Sequence, residues 1–285
     1  MPHLTIDVGV VRITALLDAD IDGGPMREAF PDVPPDRLLA AQQRFPGETG
    51  PEDSWRLRVR AWLLLHPEGV LLLDTGIGPE TAPAAAWSSE PGALLAALAE
   101  VNATPEHVDV VAISHVHDDH VGGVLATDGT PAFPRSRYLM QRADADWLED
   151  ADDEDSAAVR ERLIEPLRRA GVLDLLDGDR RLTDHLELHH APGHTPGHQI
   201  LRVVSDGERA LLSADTWNHP MQLAQPDLPS GPDHDRVRAA AARRAVLAEV
   251  LGHPGTLIAP THFAAAFGRL GNAKDGALLW QPVDG

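Results

Sequence analysis

Between residues 114 and 120 the chain reads Ser-His-Val-His-Asp-Asp-His, which packs four metal-ligand side chains, His115, His117, Asp119 and His120, into six residues. Burying so many titratable groups together without a cation is costly, so a fold built on this chain must bring the loop to a metal ion. The preceding run, Val108-Asp109-Val110-Val111-Ala112-Ile113-Ser114, is short and apolar and suits a buried strand. In an extended turn His115 and His117 project to one side, and Asp119 and His120 follow as the chain enters a helix. One loop can thus serve two neighbouring ions. Gly122-Gly123 behind it removes side chains and lets the loop pack closely against other backbone.

Three later segments also deliver a ligand-type residue at the end of a strand pattern. Ala191-Pro192-Gly193-His194-Thr195-Pro196-Gly197-His198 is a Gly/Pro-rich turn that presents His194. Leu211-Leu212-Ser213-Ala214-Asp215 ends an apolar run in a carboxylate, and Ala259-Pro260-Thr261-His262 ends one in an imidazole. Strand ends are where a rigid sheet holds a ligand in place. The sequence contains no cysteine, so a metal site here must use imidazole and carboxylate.

The rest of the chain sets the frame. Strand patterns cover residues 3–17 and 55–73, the latter turning at His66-Pro67-Glu68-Gly69. Residues 18–54 are rich in Asp, Gly and Pro and read as a long loop with at most a short helix near 35–43. Such a loop is expected to be a lid or an insertion that embraces a second subunit of a homodimer. Residues 79–92 read as another loop. Helices are expected at 93–101, 143–149, 157–170 and 235–251, and strands at 137–140, 181–190, 199–205, 209–213 and 256–259. The acidic stretch 144–155 reads as solvated surface. No linker divides the 285 residues, so a single domain is expected. The formal charge of −20 disfavours nucleic acid as a partner, since that affinity comes from Lys and Arg neutralising phosphates. The N-terminus lacks the pattern of a signal peptide, and no run of about 18 apolar residues could span a bilayer, so a soluble cytoplasmic protein without a membrane partner is expected. No phosphate-binding loop, nucleophile elbow or complete dinucleotide fingerprint occurs.

The His-x-His-x-Asp-His signature, followed in order by His194, Asp215 and His262, resembles the metallo-β-lactamase superfamily of dinuclear hydrolases, and Leu73-Asp74-Thr75-Gly76 is similar to that family's strand-end segment beside the site. The resemblance runs from about residue 55 to 263 and implies an α/β fold, a four-layer αββα sandwich with the metals at one edge of the sheets. It further implies that His115, His117 and His194 hold one ion, that Asp119, His120 and His262 hold the other, and that Asp215 bridges them. Asp74 and His198 would orient ligand imidazoles. The cofactors would be two divalent ions, zinc by default, with manganese, iron or cobalt also accepted by such ligands.

Two cations roughly 3.5–4 Å apart make hydroxide available at neutral pH and polarise the oxygen under attack. Asp119 is then the candidate catalytic acid/base. The run from Ala214 to Gln222 resembles the branch that contains N-acyl-homoserine lactonases and methyl-parathion-type hydrolases, which implies a lactone or ester of a small, partly apolar molecule as substrate. Thioester or phosphotriester hydrolysis, or a catalytically silent metal-binding protein, are the alternatives. Trp217, His219 and Phe263, with Trp55 and Trp87, are the candidates to line the substrate pocket.

Overall fold

In the computed structural model, which describes residues 3–272 and 278–283, the N-terminal apolar pattern becomes the hairpin β1 (Thr5–Val8) and β2 (Val11–Pro25). β2 pairs antiparallel with β3 (Ser54–His66), which turns back into β4 (Gly69–Leu73) at the expected place. From β4 onward the sheet is parallel, with β5 (Val110–Ala112), β6 (Arg137–Gln141) and β7 (Leu173–Leu176) added in sequence order. A second seven-stranded sheet holds β8 (Arg180–Arg181), β9 (Leu186–His190), β10 (Gln199–Ser205), β11 (Glu208–Ala214), β12 (Leu257–Pro260), β13 (Gly268–Asn272) and β14 (Leu278–Pro282), again as sequence neighbours. Its pairs are antiparallel except for β11 with β12.

Side-chain alternation builds the layers. On β3, Trp62 and Leu64 face Leu201, Val203 and Leu212 of the opposite sheet, forming the core between the sheets. Their neighbours Ala61 and Leu63 face outward, into a cluster with Leu98 and Leu167. Helices α1 (Met26–Ala29) and α2 (Pro35–Arg44) lie between β2 and β3. Next come α3 (Leu94–Glu100), α4 (Asp118–Val121), α5 (Arg142–Asp150), α6 (Glu154–Val159) and α7 (Glu165–Ala170), the last two continuous through a π-type turn at Arg160–Ile164. After α8 (Met221–Ala224), α9 (Arg236–Gly252) covers the second sheet, burying Val246, Leu247 and Val250 on Ile200, Leu211 and Ile258. The result is the expected αββα sandwich. No helix of the described residues is long and apolar enough to cross a membrane.

Three expectations are corrected. Residues 18–25 are not loop: β3 is long enough to pair them, with Asp20 opposite Arg58 and Asp22 opposite Arg56. Arg56 Nε and Nη2 bind both oxygens of Asp20 at 2.8 and 2.5 Å. The rest of the segment forms α1, α2 and short 3-10 turns around its own apolar cluster, in which Ile21, Phe30, Val33 and Leu38 pack on Trp55 and Val59. The strand expected over 181–190 is broken between β8 and β9. The acidic stretch 144–155 is not wholly solvated, because Asp144 is 1% exposed.

Two backbone segments near the 115–120 loop touch directly. A Cβ placed on Gly122 would collide with the carbonyl of Ile77, and one on Gly78, whose φ is +78°, with the carbonyl of Gly122. Gly122→Ala is therefore expected to lower stability by about 1–3 kcal/mol, the usual cost of overpacking, read as a lower urea midpoint. An unchanged midpoint would mean that the two segments can separate freely.

Candidate metal centre

Two of the parallel strand pairs, β4 with β5 and β11 with β12, point their C-terminal ends at the same edge of the sandwich. Asp74 follows β4, Ser114 and His115 follow β5 closely, Asp215 follows β11, and His262 follows β12, while His194 comes from the turn between β9 and β10. Two of these ends carry backbone in the left-handed region, at Asp74 (φ 64°) and Ala214 (φ 41°). Residues other than glycine persist in that region only where their surroundings enforce it.

All seven ligand candidates converge. His115, His117 and His194 form one group, Asp119, His120 and His262 a second, and His115, His120 and Asp215 a third that links them; within each group the donor atoms lie within 4.8 Å of one another. His117 Nδ1 is 3.0 Å from both His115 Nε2 and His194 Nε2. Asp215 sits between the groups, with Oδ2 3.2 Å from His194 Nε2 and 3.0 Å from His262 Nε2, and Oδ1 3.2 Å from His120 Nε2.

The outward atoms of these side chains are occupied, which sets the tautomers. His115 Nδ1 donates to Ser114 Oγ (3.0 Å), which in turn donates to Asp74 Oδ2 (2.8 Å); His120 Nδ1 donates to the same oxygen (2.8 Å). His194 Nδ1 donates to Asp233 (3.2 Å), and His262 Nδ1 to the carbonyl of Arg58 (2.7 Å). Each of these four rings therefore turns its Nε2 inward, while His117 turns its Nδ1 to the centre. At the centre, His120 Nε2 and Asp215 Oδ1 are buried without a hydrogen bond, and burial holds the pKa of His115 and His117 well below the ordinary value, helped by their neighbouring imidazoles, so both are neutral. Against burial, the neighbouring carboxylates raise the pKa of His120, His194 and His262, so a cation binding there displaces protons from those rings. Imidazoles and carboxylates turned toward one another in this way are the donor set that divalent ions take. The residues fit the group that the sequence implies.

A family model for the metallo-beta-lactamase superfamily matches residues 55–262. The chain belongs to the metallo-beta-lactamase superfamily. With this membership and this donor set, it is a metal-dependent hydrolase of the dinuclear kind. An N-acyl homoserine lactonase of a Bacillus species is 27% identical over 194 residues, 63% of this chain and 72% of the relative. An acyl-coenzyme A thioesterase of Bos taurus is 30% identical over 169 residues, 54% of this chain and 56% of that one. Among solved structures, the dizinc quorum-quenching lactonase AidC, in complex with a product N-hexanoyl-L-homoserine, superposes with a TM-score of 0.85 at 20% identity, covering 99% of this chain and 98% of that one.

Within this superfamily member the metal centre opens into a cavity of about 290 Å³. Trp55 and Trp87 line it, as expected. Trp217, His219 and Phe263 do not: Trp217 and Phe263 are fully buried in the core under α9, and His219 is enclosed by Phe30 and Phe45. Their positions beside Asp215 and His262 in sequence suggested the pocket, but the chain turns each of them into the core. In their place Trp147, Leu148 and Val159 come in from α5 and α6, which sequence reading treats only as helices.

Sequence reading also misses Asp144 and Asp233, which brace the loops, and assigns His198 a different partner. Asp144 accepts from Gly197 N (2.6 Å) and Thr195 Oγ1 (3.0 Å), pinning the turn that bears His194; burial raises its pKa to about 7 against those bonds. Asp233 is held by Arg243 (3.1 Å). His198 accepts at Nε2 from the backbone N–H of Asp215 (3.1 Å) and donates from Nδ1 to Ala191 O (3.0 Å), and burial lowers its pKa to about 3. It braces Asp215 rather than a ligand imidazole.

Stripping bound ions with a chelator should lower the thermal midpoint, because the carboxylates at the centre lose their counter-charge. Ions at 100 times their Kd stabilise by about 2.7 kcal/mol. Calorimetry with chelator, then with metal restored, checks this, and identical midpoints would remove the cluster as a metal centre.

Proposed function

We propose that this chain is a lactonase that opens neutral lactones carrying an apolar acyl group, of the N-acyl homoserine lactone kind, with two zinc ions. The observation that carries the reading is the cavity at the metal centre. Its walls include Trp55, Trp87, Trp147 and Val159, its polar side chains include Asp118, Asp119 and Asp155, and no Lys or Arg stands among its described lining residues. A lining of this kind suits a neutral, partly apolar molecule and repels phosphates, so the several negative charges of a coenzyme A thioester find no partner in it. The similarity to N-acyl homoserine lactonases in sequence and to AidC in fold supports the same substrate class.

His115, His117 and His194 would hold one ion and Asp119, His120 and His262 the other, with Asp215 shared. When bound, the pair supplies an activated water and polarises the substrate's carbonyl oxygen. The chain's own part is to position and to move protons. The tryptophan walls hold the acyl group and exclude bulk water from the carbonyl. Asn218 Nδ2 donates to Asp215 Oδ2 (2.7 Å), fixing the shared carboxylate. Asp119 Oδ2, 3.5 Å from His120 Nε2 and 3.6 Å from His262 Nε2, is placed to take the proton of the attacking water and deliver it to the leaving alkoxide.

The test is a panel of N-acyl homoserine lactones, aryl esters, acyl thioesters and phosphotriesters, assayed on protein of measured metal content. Highest kcat/KM is expected on the lactones, and activity confined to thioesters or phosphotriesters would replace the reading with that chemistry. Absence of any turnover with two ions bound would make the protein a silent metal binder. His117→Ala or Asp215→Ala should lower both metal content and activity, and full retention of metal would refute the ligand assignment. Asp119→Asn should cut kcat by about 10²–10⁴-fold with a smaller effect on the three-imidazole site; an unchanged kcat would take Asp119 out of the proton-transfer role.

A further inference from the structure

His262 is carried on a loop, residues 261–264, whose backbone is gripped by buried charged side chains that the proposed chemistry does not use. Arg60 of β3 donates from Nη1 to Thr261 O (2.7 Å) and Phe263 O (2.6 Å) and from Nη2 to Ala264 O (3.0 Å). Glu48, at the end of the 3-10 turn Pro46–Glu48, accepts the Ala264 N–H with both oxygens at 2.8 Å. Arg58 links the two, its Nη1 3.6 Å from Glu48 Oε2 while its carbonyl receives His262 Nδ1. Arg60 is 5% and Glu48 4% exposed.

Burying a guanidinium and a carboxylate is expensive unless geometry is good and their hydrogen bonds are made. Here those bonds go almost entirely to one four-residue loop. A guanidinium is a planar fork of donors, so three carbonyls fixed by one Arg60 hold the loop's shape as a lysine's point charge would not. Glu48 fixes the N–H of Ala264 at the loop's far end. Metal–nitrogen bonds tolerate only about ±0.2 Å, so the placement of His262 Nε2 depends on how firmly its backbone is held. His115, His117 and His194 sit on other loops with other braces.

We infer that Glu48 and Arg60 are positioning residues that clamp the 261–264 loop and so present His262 to the second metal ion. The segment between β2 and β3 is then a working part of the metal centre. The inference rests on the reading of His262 as a ligand.

The test is a titration of metal-free protein with Zn²⁺ against a chromogenic chelator, which reads the two binding events without any substrate. Folding of each variant is checked by circular dichroism. Glu48→Ala and Arg60→Lys are expected to weaken the second event by about 10–100-fold, the usual effect of losing a residue that orients a ligand, and to leave the first within about twofold. Glu48→Gln, which keeps an acceptor for Ala264 N–H, should restore most of the loss. Wild-type binding of both ions by Glu48→Ala and Arg60→Lys would overturn the clamp, and so would equal weakening of both events, which marks a general structural role. If Glu48→Ala does not fold, Arg60→Lys and the loss of selectivity for the second event decide the matter in the same way. His262→Ala serves as the reference: it should abolish the second event, and its keeping two wild-type events would overturn the ligand assignment itself and the clamp with it.

Discussion

Five imidazoles and two carboxylates meet within a few ångströms at one edge of the sandwich, nearly all of them shielded from water. In water such groups would repel or be solvated; here their lone pairs point at one another and some have no partner at all. Only divalent cations satisfy that arrangement well. The β4–β5 and β11–β12 pairs exist in the right place to enforce it, because parallel neighbours end together and present their following residues side by side. The sandwich matters to the site chiefly as the means of bringing those two strand-end pairs face to face.

Holding the cluster falls to buried carboxylates and arginines. Asp74 serves Ser114 and His120, Asp144 serves the turn of His194, Asp233 serves His194 with Arg243 behind it, and Glu48 with Arg60 serves the loop of His262. Each is expensive to bury, and each offsets that cost by accepting or donating several short hydrogen bonds to the backbone or ring it fixes. The left-handed residues Asp74 and Ala214 sit inside this framework. Rigidity at the centre and strain at its rim have the same origin.

Above the centre the chemistry changes from charged to apolar. Tryptophans drawn from three separate parts of the chain line the cavity, while cations are absent from its described lining. For a chain of net charge −20, this leaves metal ions as the positive feature that an incoming carbonyl oxygen would meet. On the proposed reading, the arrangement that suits a neutral ring ester also works against a polyanionic thioester.

The metal cluster was legible from residue order because each ligand stands next to a local strand signal: Val110–Ala112 before His115, Leu211–Leu212 before Asp215, Leu257–Ala259 before His262. The hairpin at 66–69 and the helix before β12 followed from periodicity in the same way, and the layer order from the resemblance that the signature carries. Residues 18–25 were misread because Asp and Gly carry no strand preference of their own, and pairing with β3 overrode that. Trp217, His219 and Phe263 were misplaced because adjacency in sequence to a ligand does not say whether the next side chain turns to the cavity or to the core. Asp144, Arg60 and Glu48 gave no local signal at all: a lone Asp in an acidic stretch looks like surface until Gly197 is beside it, and Glu48 acquires its partner from position 264. By itself the sequence determined the candidate ligands and, through the resemblance they carry, the layers, since the signature and the strand signals beside it are written in short contiguous patterns. Tertiary structure alone decided the cavity lining and the braces, since those are contacts between residues tens to hundreds of positions apart.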